Sequence, residues 1–139
     1  MPETSIFNTS FTSDLDESAR VQNEIVAELE QRGVSMGDLA DLHLALEEGL
    51  ANAVKHGNKL DSSKQVHVEC ELSEAGFFSI VIQDEGEGFD PNDVPDCTLP
   101  ENLDKPSGRG LMLMRAFMDD IRYNDIGNQL KITKTCTFE

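Results

Sequence analysis

LALEEGLANAVKHGN, residues 44–58, is the stretch on which the fold turns. Leu46, Leu50, Ala53 and Val54 continue an apolar stripe begun at Leu39 and Leu42, with the three-and-four spacing of an amphipathic helix. Each residue advances about 100° around a helix axis, so Glu48 and Asn52 face the same way, and Lys55 with His56 extend their stripe. Glu47 points about 100° off it, which leaves Glu48 as the carboxylate sharing a face with Asn52. Ser35 is the expected N-cap, and Gly57 with Asn58 the stop. The apolar side packs on a sheet. The other side shows a carboxylate, an amide, an ammonium and an imidazole, though an ordinary solvated helix face can look the same.

Working outward, Ser5–Thr12 reads as a strand, and Leu15–Arg32 as a helix capped by Ser13 or Asp14 and closed at Gly33. Val66, Val68, Cys70 and Leu72 alternate with His67, Glu69 and Glu71, the pattern of a half-buried strand. A turn at Glu74–Gly76 returns the chain through Phe78, Ile80 and Ile82, whose unbroken Ile80–Ile82 run suits a central strand. Residues 85–107 lack periodicity and form a long loop of the kind that is usually functional or disordered. A helix over Gly110–Asp120, a strand at Ile121–Tyr123, a turn at Gly127–Asn128 and a strand over Leu130–Phe138 close the chain. The order βααββαββ implies an α+β fold, a two-layer α/β sandwich whose mixed, mostly antiparallel sheet carries its helices on one face. His43, on the apolar side of its helix, reads as packing.

Two glycine-rich turns join the helix as candidate site elements. Asp84 shares strand parity with Phe78, Ile80 and Ile82, so its carboxylate points among apolar side chains and needs a donor. The amino group of adenine is one such donor, and Gly86 and Gly88, before Phe89, let the backbone approach a flat base. Acidic glycine turns are common on their own. Ser107-Gly108-Arg109-Gly110-Leu111 opens a helix, where bare N–H groups and the helix dipole suit phosphate. Lys105 and Arg109 could add charge-assisted contacts. A plain glycine-rich helix start remains the alternative.

Composition narrows the classes. The 139 residues suit a single domain spanning 1–139. A formal net charge of −16 argues against nucleic acid, which demands basic surface, and against anionic membranes. A protein partner with a basic face is compatible. Cys70, Cys97 and Cys136 are odd in number and form no CxxC, so neither a disulfide framework nor a zinc site is expected. No apolar run approaches the roughly 18 residues of a membrane helix, and Met1–Ser10 has no secretory pattern. A cytoplasmic address is expected.

Taken together, Glu48–Gly57, Asp84–Gly88 and Gly108–Leu111 resemble the three boxes of the GHKL (Bergerat-fold) ATPases: E-x-x-x-N-A-x-x-H-G, D-x-G-x-G and G-x-G-L. The resemblance spans roughly residues 11–134. It implies ATP and Mg²⁺, with Glu48 the acid–base carboxylate, Asn52 the metal ligand and Asp84 the adenine reader. Gly86, Gly88 and Phe89 would line the base. Lys55, His56, Lys105, Ser107, Gly108, Arg109, Gly110 and Leu111 would surround the phosphates, residues 90–106 would form the lid, and Thr133 would complete the nucleotide contacts. Some relatives carry a hydroxyl residue where this chain has Gln129, and the lid is acidic with Lys105 its only base.

With neither an upstream phosphoacceptor helix nor a transducer domain in 1–139, the chain is most similar to the anti-sigma-factor serine/threonine kinases. The resemblance therefore implies phosphorylation of an antagonist protein, binding of a sigma factor, and a possible homodimer. Two alternatives stay open: a non-catalytic ATP-binding sequestering module, and a stand-alone ATPase.

Overall fold

The computed structural model describes residues 4–86, 114–124 and 128–138. Strand β1 (Thr4–Thr12) leads into helix α1 (Leu15–Gln31). Asp14 caps α1, its carboxylate accepting from the backbone N–H groups of Asp16 (2.7 Å) and Glu17 (3.3 Å). Gly33, at φ 90°, carries the chain out of the helix. Helix α2 (Met36–Asn52) starts at Ser35, whose hydroxyl accepts from Asp38 N at 3.4 Å. Strands β2 (Gln65–Leu72), β3 (Phe77–Gln83), β4 (Asp120–Tyr123) and β5 (Gln129–Thr135) complete the sheet. Residues 114–117 are helical, within the expected third helix.

The strand order is β1-β2-β3-β5-β4, with every described pair antiparallel. The expected α+β fold with a mostly antiparallel sheet stands, and among the described residues no strand pair is parallel. β5 slots between β3 and β4, so the parallel relation of those two strands never becomes a pair. β3 is central, as its apolar run suggested. Val66, Val68, Cys70, Leu72, Phe78, Ile80, Ile82, Leu130 and Ile132 share one buried core with Val21, Ile25 and Leu29 of α1 and Leu42, Leu46 and Leu50 of α2. Each large apolar side chain so buried contributes about 1.5–3 kcal/mol. α2 lies close on the sheet: a Cβ added at Gly49 would meet Ile82 Cδ1 at 3.0 Å and Leu130 Cδ2 at 3.4 Å. That contact seats α2 at Gly49, the residue after Glu48, over β3 and β5.

The chain end is tied to the start of α2. Asp38 Oδ2 accepts from Thr137 N (2.7 Å), Thr137 Oγ1 (2.9 Å) and Ser35 Oγ (2.9 Å). The Lys134 ammonium lies 3.7 Å from both Asp38 and Asp41 and donates to the Phe117 carbonyl at 2.9 Å. Burial alone would raise the Asp38 pKa, but the Thr137 and Ser35 hydrogen bonds and the Lys134 charge outweigh it, so the net position is below the ordinary carboxylate value. His43 is exposed rather than on the apolar side, and its carbonyl accepts from Gln22 Nε2 at 3.1 Å, joining α2 to α1. Among the described residues no helix is long and apolar enough to cross a membrane.

Candidate functional site

Helical phase sorts the two adjacent glutamates as expected: Glu47 is exposed and Glu48 half-buried, with Asn52 half-buried one turn on. The uniform 100° advance ends there. Ala53–Gly57 forms a π-helical turn, with Asn58 N donating to Ala53 O at 2.9 Å, an i→i+5 bond. The expected stripe of Lys55 and His56 beyond Asn52 falls on this wider turn. Lys55 is exposed, and the side chain of His56 lies outside the described set.

The widened turn delivers Gly57 and Asn58 to the end of β3. Asp84 is 7% exposed there, on the core face set by its parity with Ile80 and Ile82. A Cβ added at Gly57 would lie 2.2 Å from Asp84 Oδ2 and 2.3 Å from Asp84 Cγ, and one added at Gly86 would lie 1.9 Å from Gly57 O. A Cβ at Gly57 would displace the Asp84 side chain, and one at Gly86 would collide with backbone, so close approach requires glycine at 86 and favours it at 57. Gly86 N donates to Asp84 Oδ1 at 2.8 Å. Burial raises the Asp84 pKa, while the Gly86 hydrogen bond and the Lys64 charge pull it down; the net shift is upward. A largely buried carboxylate that accepts from Gly86 N at one oxygen suits a further donor such as a ligand amino group.

Asn58, which the sequence reading took for a helix stop, is fully buried. Its Nδ2 donates to Ser13 Oγ (2.6 Å) and to Gln65 O (2.9 Å), and its Oδ1 accepts from Glu85 N (2.7 Å). The Glu85 carboxylate in turn accepts from Gln65 N. Tyr123 was also missed. Burial pushes its phenol up to about 12, with the Arg115 charge opposing and those of Glu48 and Asp84 adding to the shift. These four groups therefore share one electrostatic neighbourhood. Tyr123 pairs with Leu130 in register, on the core face. Its alternation with Ile121 was the signal available in the sequence.

Register also revises two positions on the last strand. Gln83 pairs with Gln129, and the next residue, Asp84, donates its N–H to Asn128 O at 3.0 Å. Asn128, just before β5, is thus the residue beside Asp84, and Gln129 lies opposite Gln83. Thr133 pairs with Ser79 and Asp120, on the strand parity opposite to Leu130 and Ile132, so the sheet separates it from Asp84. The expected Thr133 contact is not brought to the site. Gly88, Phe89, Lys105, Ser107, Gly108, Arg109, Gly110, Leu111 and the lid at 90–106 lie outside the described residues.

Comparison with known proteins identifies the family and the fold. An anti-sigma F factor of Priestia megaterium is 33% identical over 119 residues, covering 78% of this chain and 80% of that protein. A serine-protein kinase RsbW of Bacillus licheniformis is 34% identical over 109 residues, covering 73% and 68%. The crystal structure of the RsbU and RsbW domains of Rv1364c from Mycobacterium tuberculosis superposes with a TM-score of 0.66 at 19% identity, over 98% of this chain and 33% of that one, and so shares the fold. The histidine kinase-like ATPase domain matches residues 11–134. The chain belongs to that family.

Proposed function

We propose that residues 1–139 form one cytoplasmic ATP-binding domain that acts as an ATP-dependent serine/threonine-protein kinase of the anti-sigma-factor type. It phosphorylates a protein antagonist and binds a sigma factor, works as a homodimer, and takes neither nucleic acid nor membrane as a partner. The observation carrying the reading is the buried Asp84 carboxylate, clasped by the end of the same helix that presents Glu48 and Asn52. Relatives sharing about a third of their residues are named anti-sigma F factor and serine-protein kinase.

Each described residue has a distinct task. Asp84 accepts from the adenine amino group. Asn52, half-buried one turn from Glu48, fits Mg²⁺ through its side-chain oxygen, a hard ligand suited to that ion. The metal would supply charge neutralisation at the phosphates. Glu48 orients the serine or threonine hydroxyl and receives its proton. The hydroxyl oxygen bonds to the γ-phosphorus as the bond to the bridging oxygen breaks, and ADP leaves. Phosphoryl transfer depends chiefly on such positioning and charge stabilisation.

The test is transfer of labelled phosphate from ATP to the antagonist protein. Glu48→Gln should slow transfer at least about a hundredfold, the ordinary contribution of a general base, while ADP binds as before. Transfer at the wild-type rate in that variant would remove Glu48 from its role. Sigma-factor binding with no transfer by the wild type would leave a sequestering module.

A further inference from the structure

We infer that Asn58 is a positioning residue for purine selectivity: it clamps the Asp84–Gly86 turn to the end of α2 and so fixes the carboxylate that distinguishes adenine from guanine. The inference rests on the assignment of Asp84 to adenine made above.

Three hydrogen bonds on one fully buried side chain define the clamp. The amide of Asn58 has Ser13 Oγ and Gln65 O on its NH₂ side, at 2.6 and 2.9 Å, and Glu85 N–H on its oxygen side, at 2.7 Å. Reversing the amide would set donor against donor at Glu85 and acceptor against acceptor at Gln65, so its orientation is determined. The backbone of Asn58 is fixed as well, donating to Ala53 O at 2.9 Å and accepting from Asp61 N at 3.0 Å. One side chain thus joins the β1–α1 corner, the start of β2 and the turn after β3 to the end of α2.

The acceptor of Asn58 reaches Glu85, the residue between Asp84 and Gly86. Those two are the residues that abut Gly57, the residue before Asn58. The pairs Gly57-Asn58 and Asp84-Glu85 are therefore locked in register, and the Asn58–Glu85 bond holds the backbone from which the Asp84 carboxylate projects. Glu85 keeps a second tie through its carboxylate to Gln65 N, so loss of Asn58 loosens the turn without freeing it.

The chemistry makes the role readable. Adenine presents an amino donor at C6, and guanine a carbonyl acceptor. A fixed carboxylate accepts from the first and repels the second. Displacing it costs affinity for adenine nucleotides alone, whereas general loosening of the fold costs affinity for both.

Binding of ADP and GDP to the full chain is measured by calorimetry for the wild type, Asn58→Ala and Asp84→Asn, each with a thermal melt. Asn58→Ala is expected to lose about tenfold in ADP affinity, one charge-assisted hydrogen bond. GDP affinity should stay within about twofold, below the worth of one such bond. Equal losses for the two nucleotides, or an unchanged ADP-to-GDP ratio in a folded variant, overturn the inference. If Asp84→Asn lowers ADP affinity while Asn58→Ala does not, the Asn58 inference falls and the Asp84 assignment stands. If Asp84→Asn binds ADP like the wild type, both fall. Should Asn58→Ala fail to fold, Ser13→Ala removes one acceptor from the clamp and should lower the ratio about threefold, a typical neutral hydrogen bond. No change there overturns the inference too.

Discussion

Gly57→Ala separates nucleotide recognition from folding. Gly57 does not occupy a positive-φ conformation, so alanine meets no backbone objection, and a helical turn gains roughly 0.5–1 kcal/mol from the exchange. The obstacle is the Asp84 carboxylate. The new Cβ would lie 2.2 Å from Oδ2, 2.3 Å from Cγ and 2.9 Å from the Asp84 Cβ, where ordinary contact begins at 3.4 Å. The carboxylate must withdraw by about 1.2 Å, the shortfall at Oδ2. Withdrawal strains its 2.8 Å bond from Gly86 N, a loss of about 1 kcal/mol. Gain and loss nearly cancel, so the unliganded protein should stay within about 1 kcal/mol of wild type, a melting shift of a few degrees. ATP binding does not share in that cancellation. Losing a charge-assisted hydrogen bond costs about 1.5–3 kcal/mol, or roughly ten- to hundredfold in affinity. Calorimetry with ADP avoids turnover, and a melt without nucleotide reports the fold. ADP affinity within twofold of wild type would refute the reasoning, because the carboxylate would then have moved without consequence for the base.

Two further predictions follow from the carboxylates. The pKa of Asp84 is raised, chiefly by burial, so its stabilising share is complete below the unfolded value and is lost as pH rises through the folded value. Asp84→Asn should therefore melt higher than wild type at pH 7, with the difference shrinking as pH falls toward the carboxylate range, while losing ADP affinity; a lower melting point at pH 7 would contradict the burial argument. Asp38 behaves oppositely. Burial opposes its ionisation, but the hydrogen bonds and Lys134 prevail and its pKa is lowered. Its contribution is present above the unfolded value and lost as pH falls through the folded one. Asp38→Asn should melt lower than wild type at pH 7, and the gap should close below about pH 4; a gap independent of pH would assign the loss to geometry instead.

Local periodicity made most elements readable. The alternation at Val66–Leu72 and the helical stripe from Leu39 to Val54 follow from burial on one face, a property carried by the residues themselves. The insertion of β5 between β3 and β4 was not readable. It depends on which strand edges meet after a long connection, and no local spacing records that. The end of α2 shows the same limit. Gly57 announced a stop, yet the i→i+5 turn exists because Asn58 finds Ser13, Gln65 and Glu85 across the fold. A partner 45 residues away in sequence leaves no periodic trace.

The site divides along the same line. Glu48 and Asp84 were legible because each has a side-chain phase that a helix or strand fixes. Thr133 failed by the same rule applied too loosely: a hydroxyl on the right strand still has to share parity with Asp84, and Leu130 and Ile132 hold that parity instead. Gly57 and Asn58 act through what lies opposite them, a carboxylate with no room for a Cβ and a turn with an N–H to satisfy. In the proposed function the first box therefore does more than present Glu48 and Asn52 to a metal and a hydroxyl. Its last glycine and the asparagine after it set where the second box stands, and under that proposal one helix end aligns base reading with phosphate chemistry. A substitution at Gly57 or Asn58 that touches no nucleotide atom should still change which nucleotide the site accepts.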